Sequence, residues 1–123
     1  AAEHRINYNV SNSGDFAGMS INFDPSNSGA STDLSTLSSL VFGVNSSTVQ
    51  TLRMEVQDTT GATAVFYIKN VDVTRRYYEF LTSLLVGSID RTRVKKINFV
   101  VDQSSIAAGG QIGSVDVELG GIS

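Results

Sequence analysis

The sequence predicts an all-β protein, a sandwich of about eight antiparallel strands in two sheets. Three observations lead to this prediction. Apolar and polar residues alternate in short runs, turn-rich clusters of Ser, Asn, Asp and Gly separate these runs, and one run has the composition of a buried strand. Short, evenly spaced strands with almost no helical pattern between them favour a jelly-roll arrangement of the two sheets.

The run expected at the centre of one sheet spans residues 93–103 and reads RVKKINFVVDQ. β-branched and aromatic residues dominate this run, which is too short for a core helix and has the length of a central strand. Side chains alternate between the two faces of a strand. The residues expected in the core are therefore Ile97, Phe99 and Val101. The residues expected on the other face are Asn98, Val100 and Asp102.

The same alternation predicts three strands in the first part of the chain. The first spans residues 5–10 and has Ile6, Tyr8 and Val10 on one face. The second is centred on three apolar residues that alternate with polar ones, Met19, Ile21 and Phe23. The third spans residues 40–44.

Three further strands follow. The fourth and fifth, residues 51–58 and 64–69, are joined by a hairpin turn at residues 58–61, where Gly61 can take a positive φ. The last strand spans residues 114–119. The inward residues expected from these strands are Leu52, Met54, Val56, Ala64, Phe66, Ile68, Val115, Val117 and Leu119.

Residues 75–89 carry two patterns at once. One is the spacing of an amphipathic helix, shown by Tyr77, Phe80, Leu81, Leu84 and Leu85. The other is the alternation of a strand, because Tyr78 and Phe80 are interleaved with Tyr77 and Glu79. The residues alone leave both interpretations open.

The composition narrows the classes of function. With 123 residues, 41% of them hydrophobic, the chain is long enough to form one domain over residues 1–123. A net charge of −3 argues against nucleic acid and an anionic membrane as partners, because both select clustered Lys and Arg. The absence of Cys excludes disulfides and thiolate sites. No catalytic motif or acid–base pair of carboxylates stands out, so we expect that the protein is not an enzyme.

Four stretches of the chain carry a resemblance to a known family. They read YNV followed by GDFAGMSINF, DLS followed by LSSLVFGV, LRMEVQDTTG, and VTRRYYEFLTSLLVGSIDRTRVKKINFVVDQ followed by SVDVEL. In this order they resemble the galactose-binding-like jelly rolls, specifically the carbohydrate-binding modules of secreted bacterial polysaccharide hydrolases. The resemblance implies a strand at residues 77–81 followed by an irregular excursion. It also implies a secreted or cell-surface location and a catalytic domain in the same parent chain.

Two features of that family are altered in this sequence. Such modules usually begin with one more strand, which binds a structural calcium ion together with the last strand. Asp116 matches the acidic position of the last strand and is the metal ligand that the resemblance implies, but one carboxylate does not make a site of six to eight oxygens. We therefore expect no cofactor. The family's sugar-stacking Trp is also missing, and Phe16 and Arg75 stand at two usual Trp positions.

The resemblance places sugar binding on the outer face of one sheet, built from the second, fourth, fifth and seventh strands. Such a face needs flat aromatics for stacking and planar polar groups for hydroxyls. The residues expected on this face are Asn22, Arg53, Glu55, Gln57, Tyr67, Lys69 and Asn98, with Gln103 at its rim. Polar outer faces are also the default of antiparallel sheets, and Arg53, Glu55 and Lys69 equally suit a cross-strand charge ladder.

Phe16 lies between two glycines in an expected loop. We expect it to plug the end of the sandwich rather than to stand exposed as a sugar platform.

Two functions remain open at this point. The first is a non-catalytic carbohydrate-binding module that binds a soluble polysaccharide chain, which the ordered motifs favour. The alternative is a structural or adhesive β-sandwich domain of a bacterial secreted or cell-surface protein without sugar affinity. The missing Trp and the loops rich in Ser and Thr favour this alternative.

Overall fold

A computed structural model describes residues 2–122, with side chains described for residues 3–120. It contains eight strands and no α-helix within residues 2–122. In chain order the strands are β1 (Ala2–Asn9), β2 (Phe16–Asn22), β3 (Ser39–Asn45), β4 (Leu52–Asp58), β5 (Thr63–Ile68), β6 (Arg76–Leu81), β7 (Val94–Asp102) and β8 (Ile112–Ile122). Short 3₁₀ turns lie at Leu34–Thr36, Thr82–Leu85 and Gln103–Ser105. None of these helical turns is long and apolar enough to cross a membrane.

The strands form two four-stranded antiparallel sheets. One has the order β1–β8–β3–β6 and is named the β8 sheet; the other has the order β2–β7–β4–β5 and is named the β7 sheet. The first strand pairs with the last described strand, so these two strands are neighbours in one sheet. Eight strands wound in this way across two packed sheets form a jelly roll, and the predicted fold class is confirmed.

Strand β7 lies in the interior of its sheet, between β2 and β4, as its composition predicts. Ile97, Phe99 and Val101 are almost completely buried. The ring of Phe99 meets that of Phe42, on β3 of the other sheet, edge to face with 5.2 Å between the ring centroids. This contact joins the two sheets at the middle of the core.

The alternation predicted for the other strands is confirmed. The inward residues that are buried are Ile6, Tyr8, Val10, Leu52, Met54, Val56, Ala64, Ile68, Val115 and Val117. The inward residues that are partly buried against the same core are Met19, Ile21, Phe23, Phe66 and Leu119.

Residues 75–89 form a strand and then a single turn, so the strand pattern prevails over the helical one. Strand β6 pairs with β3, which places Phe80 in the core and leaves Tyr77 exposed. Tyr78 faces the same way as Phe80 but is only half-buried, because β6 is the edge strand of the β8 sheet. The 3₁₀ turn that follows buries Leu85 completely.

The β4–β5 hairpin closes where the sequence predicts it. Gly61 takes a positive φ of 92°, and the amide of Asp58 donates to the carbonyl of Ala62. The buried carboxylate of Asp58 accepts from the amides of Thr60 and Ala62 and, through its other oxygen, from the amide of Asp90 at 2.8 Å. Burial disfavours the charge on Asp58, but these hydrogen bonds outweigh it and hold the pKa of Asp58 below its usual range. The hairpin is thereby anchored to the loop before β7.

Candidate functional site

The outer face of the β7 sheet is built from four strands in register. One row across it contains Gly18, Val100, Arg53 and Tyr67. The next row contains Ser20, Asn98, Glu55 and Val65, and the third contains Asn22, Lys96, Gln57 and Thr63. Six of the residues expected on this face therefore lie on it, namely Asn22, Arg53, Glu55, Gln57, Tyr67 and Asn98.

Arg53 lies near the centre of this face between two carboxylates. Its Nη1 donates to Oδ2 of Asp102 at 3.2 Å, and its Nε lies 3.2 Å from Oε2 of Glu55. The Nε atom is buried and finds no hydrogen-bond partner among the described residues, because its N–H is not directed at the nearby carboxylate. The guanidinium is therefore held in place by neighbouring charges on β4 and β7.

Asp102 stays ionised because of the turn that follows β7. The hydroxyl and the amide of Ser104 both donate to Oδ1 of Asp102. These bonds hold the pKa of Asp102 below its usual range against the opposing effect of burial, and the charge of Arg53 lowers it further. A fixed anion and a fixed cation thus stand side by side on the face.

The second row presents neutral polar groups beside Glu55. The hydroxyl of Ser20 donates to Oδ1 of Asn98 at 2.5 Å, which orients the amide of Asn98. A side-chain amide oriented in this way offers its N–H donors in a fixed direction. Together with the carboxylate of Glu55, this row supplies both donors and acceptors.

Phe16 does not plug the end of the sandwich, and that expectation was wrong. Phe16 is the first residue of β2, pairs with Asp102, and is 75% exposed. Tyr67, on the opposite edge strand of the same sheet, is 56% exposed. With strands about 4.8 Å apart, the two rings stand roughly 15 Å from each other across the face.

Two shallow depressions meet at Phe16. The first, of about 370 Å³, is lined by Ser20, Asn98 and Glu55 of the second row together with Phe16, Gly18 and Val100. The second, of about 380 Å³, continues past Phe16 towards Arg53, Asp102 and Gln103. Gly18 fits here because it has no side chain, since a Cβ at this position would lie 2.5 Å from the carbonyl oxygen of Phe99.

The two remaining residues of the expected site lie at its margins. Gln103 lies at the rim as expected, but its Nε2 donates to the carbonyl of Val10 at 3.0 Å, so this donor is already used. Lys69 is exposed and follows the last residue of β5, at the edge of the sheet. The hydrogen bond of Gln103 joins residues that are far apart in the chain, and the position of Lys69 depends on where β5 ends. Local sequence patterns reveal neither.

Sequence reasoning missed Phe16, although a signal for it was present. Met19 and Ile21 face inward, so continuing the alternation back along β2 places Phe16 on the same face as Ser20. The glycines on either side of Phe16 suggested a loop and concealed this extension of the strand.

The residue expected at a metal site is engaged in an ion pair. Oδ1 of Asp116 accepts from Nε of Arg5 at 2.7 Å, and Oδ2 accepts from Nη2 at 3.1 Å. These hydrogen bonds hold the pKa of Asp116 below its usual range. Within residues 2–122, no group of three or more His, Cys, Asp or Glu side chains is arranged to hold a metal ion.

No protein-family model and no curated protein matches the sequence. Among solved structures, a match to an exo-beta-agarase has a TM-score of 0.62 and 17% sequence identity. It covers 88% of this chain but only 18% of the agarase chain. At this level of identity the likeness establishes the fold alone. The chain therefore shares its β-sandwich fold with a segment of an exo-beta-agarase.

Proposed function

We propose that this protein is a non-catalytic carbohydrate-binding module that binds one chain of a soluble polysaccharide across the outer face of the β7 sheet. The observation that carries the proposal is the pair of exposed rings, Phe16 and Tyr67, with oriented polar groups between them. Rings of this kind stack on the apolar faces of sugars, while amides and carboxylates bind the hydroxyls.

The charges on this face favour a neutral polysaccharide. Arg53 and Lys96 are balanced by Glu55 and Asp102, and the cation at the centre already contacts both carboxylates. An anionic polymer would have to compete with these carboxylates for Arg53. Hydroxyl groups, in contrast, suit a surface that offers donors and acceptors in equal measure.

The fold is consistent with this role. A segment of an exo-beta-agarase has the same fold, and that enzyme's name describes activity on a polysaccharide. By analogy, this protein is part of a secreted or cell-surface chain that carries a catalytic domain elsewhere. Binding modules of this type keep an enzyme near its substrate and need no catalytic groups of their own.

The proposal predicts that both aromatic edges of the face contribute to affinity. Titration calorimetry or affinity electrophoresis against soluble β-glucan, xylan, mannan and agarose should identify a ligand. Tyr67→Ala and Phe16→Ala should each weaken binding about tenfold, because each removes stacking worth roughly 1.4 kcal/mol. Val73→Ala, which removes an exposed apolar side chain away from the face, is the control and should bind normally.

Two outcomes would contradict the proposal. If the Phe16→Ala/Tyr67→Ala double variant kept full affinity, the ligand would bind elsewhere on the protein. If the parent bound none of the four polysaccharides, the alternative of a structural or adhesive domain without sugar affinity would replace the proposal.

A further inference from the structure

The outer face of the β8 sheet carries a second exposed ring, which lies over a glycine. A Cβ added at Gly43 would lie 2.8 Å from Cε1 of Tyr77 and 3.3 Å from Cδ of Arg75. Both side chains therefore occupy the space that a larger residue on β3 would fill. Tyr77 is nevertheless 59% exposed, slightly more than Tyr67 on the other sheet.

Arg75 is fixed beside this ring by three other strands. Its Nη2 and Nη1 donate to the two carboxylate oxygens of Glu3 on β1, at 2.7 and 3.2 Å. Nη1 also donates to Oε2 of Glu118 on β8 at 2.8 Å, and Nε donates to Oδ1 of Asn45 on β3 at 2.9 Å. Such charge-assisted bonds set the plane of the guanidinium.

Tyr77 is anchored to the same carboxylate. Its hydroxyl donates to Oε2 of Glu118 at 3.1 Å. No described residue donates to the other oxygen of Glu118, Oε1. The ring is thus held at both ends, over Gly43 and against Glu118, and an acceptor stands next to it.

The two outer faces therefore carry the same set of groups. Each has an exposed Tyr and, near it, an Arg held between two carboxylates, Glu55 and Asp102 on one face and Glu3 and Glu118 on the other. We propose that the outer face of the β8 sheet, centred on Tyr77, is a second binding surface for a neutral polysaccharide chain. The inference rests on the proposed function for the class of its ligand.

Charge supports a neutral occupant for this second face. Its acidic side chains, Glu3, Glu79, Asp116 and Glu118, outnumber its two arginines, Arg5 and Arg75. An anionic polymer would be repelled by the excess carboxylate. A sugar without charge can stack on Tyr77 and donate a hydroxyl to Oε1 of Glu118.

The two surfaces point in opposite directions, because they are the outer faces of two sheets packed about 10 Å apart. One polysaccharide strand cannot lie on both at once. Each molecule therefore binds two strands and bridges them.

Stoichiometry tests this inference. The probes are cellohexaose, xylohexaose, mannohexaose and neoagarohexaose, titrated by calorimetry into the parent, Tyr67→Ala, Tyr77→Ala and the double variant. At ligand concentrations that just saturate the parent, a site weakened about tenfold does not fill and is counted as lost. The parent should then bind two hexasaccharides per molecule, each single variant one, and the double variant none. Turbidity with the corresponding long polymer should appear with the parent and disappear with either single variant.

The outcomes separate this inference from the proposed function. One site per molecule that survives Tyr77→Ala and is lost in Tyr67→Ala overturns the second face and leaves the proposed function intact. One site that is lost in Tyr77→Ala and survives Tyr67→Ala supports the second face and overturns the first. Absence of binding by the parent to all four probes overturns both.

A second variant distinguishes a loss of binding from a loss of folding caused by uncovering Gly43. Tyr77→Leu keeps an apolar side chain over Gly43 but removes the flat ring, so it should fold and still lose one site. Unchanged stoichiometry in Tyr77→Leu and Tyr77→Ala, with normal melting curves, would show that the ring only covers the glycine. Val86→Ala, at an exposed residue outside the strands of both sheets, serves as the control, with two sites expected.

Discussion

Phe99 is one of the residues through which the two sheets are joined. It is fully buried, and its ring packs edge to face against Phe42. Phe99→Ala should reduce the free energy of unfolding by roughly 3–5 kcal/mol, because it removes a large buried side chain and leaves a cavity. Denaturant melts would measure this loss.

Phe16→Ala is the matched control for that measurement. It makes the same chemical change at a ring that is 75% exposed, so the expected loss is within about 0.5 kcal/mol. A loss below about 1 kcal/mol for Phe99→Ala would mean that the Phe99 side chain contributes little to the packing of the core.

At the scale of elements, the β4–β5 hairpin depends on one buried carboxylate. The depressed pKa of Asp58 means that the folded state favours the ionised form more than the unfolded chain does. Its contribution to stability is therefore complete above the unfolded value, near pH 4, and is lost as the pH falls through the folded pKa. Melts between pH 7 and pH 2 should show stability falling in this acid range.

The variant Asp58→Asn tests the origin of that loss. Removing a buried charged acceptor should cost roughly 1–3 kcal/mol at pH 7 and should reduce the further loss in acid. Asp33→Asn is the control, since Asp33 is an exposed residue that caps a short 3₁₀ turn and Asn caps about as well. If Asp58→Asn lost stability in acid as steeply as the parent, other carboxylates would account for the pH dependence.

For the whole molecule, we predict that chelation leaves stability unchanged. Both oxygens of Asp116 accept hydrogen bonds from Arg5, so the one residue expected as a calcium ligand is engaged by a cation of the chain itself. Calorimetric melts with EDTA, with added Ca²⁺ and with neither should coincide. A clear drop in Tm with EDTA that Ca²⁺ reverses would restore a structural metal site.

The alternation of side chains along each strand explains which features of this molecule could be predicted from the sequence. Alternation is a local property, so the core position of Phe99 and the outward positions of Arg53 and Asn98 follow from their neighbours in the chain. The family resemblance supplied the order of strands, which places those two outward residues on one surface.

The features that escaped prediction depend on residues distant in the chain. Arg75 takes partners from β1, β3 and β8, and Gln103 uses its amide on the carbonyl of Val10. Phe16 was missed for a different reason, because its flanking glycines obscured a strand that begins at this residue. Contacts of this kind arise only once the sheets are assembled.

The pairing of β1 with β8 also determines when the protein can fold. β8 lies between β1 and β3, so the β8 sheet has no interior until residues 112–122 have left the ribosome. Strands made early must wait for the last described strand, and loop closure over more than a hundred residues makes such topologies slow to fold. During that interval the edges of β1 and β3 that pair with β8 remain open, and unpaired strand edges favour aggregation before folding is complete.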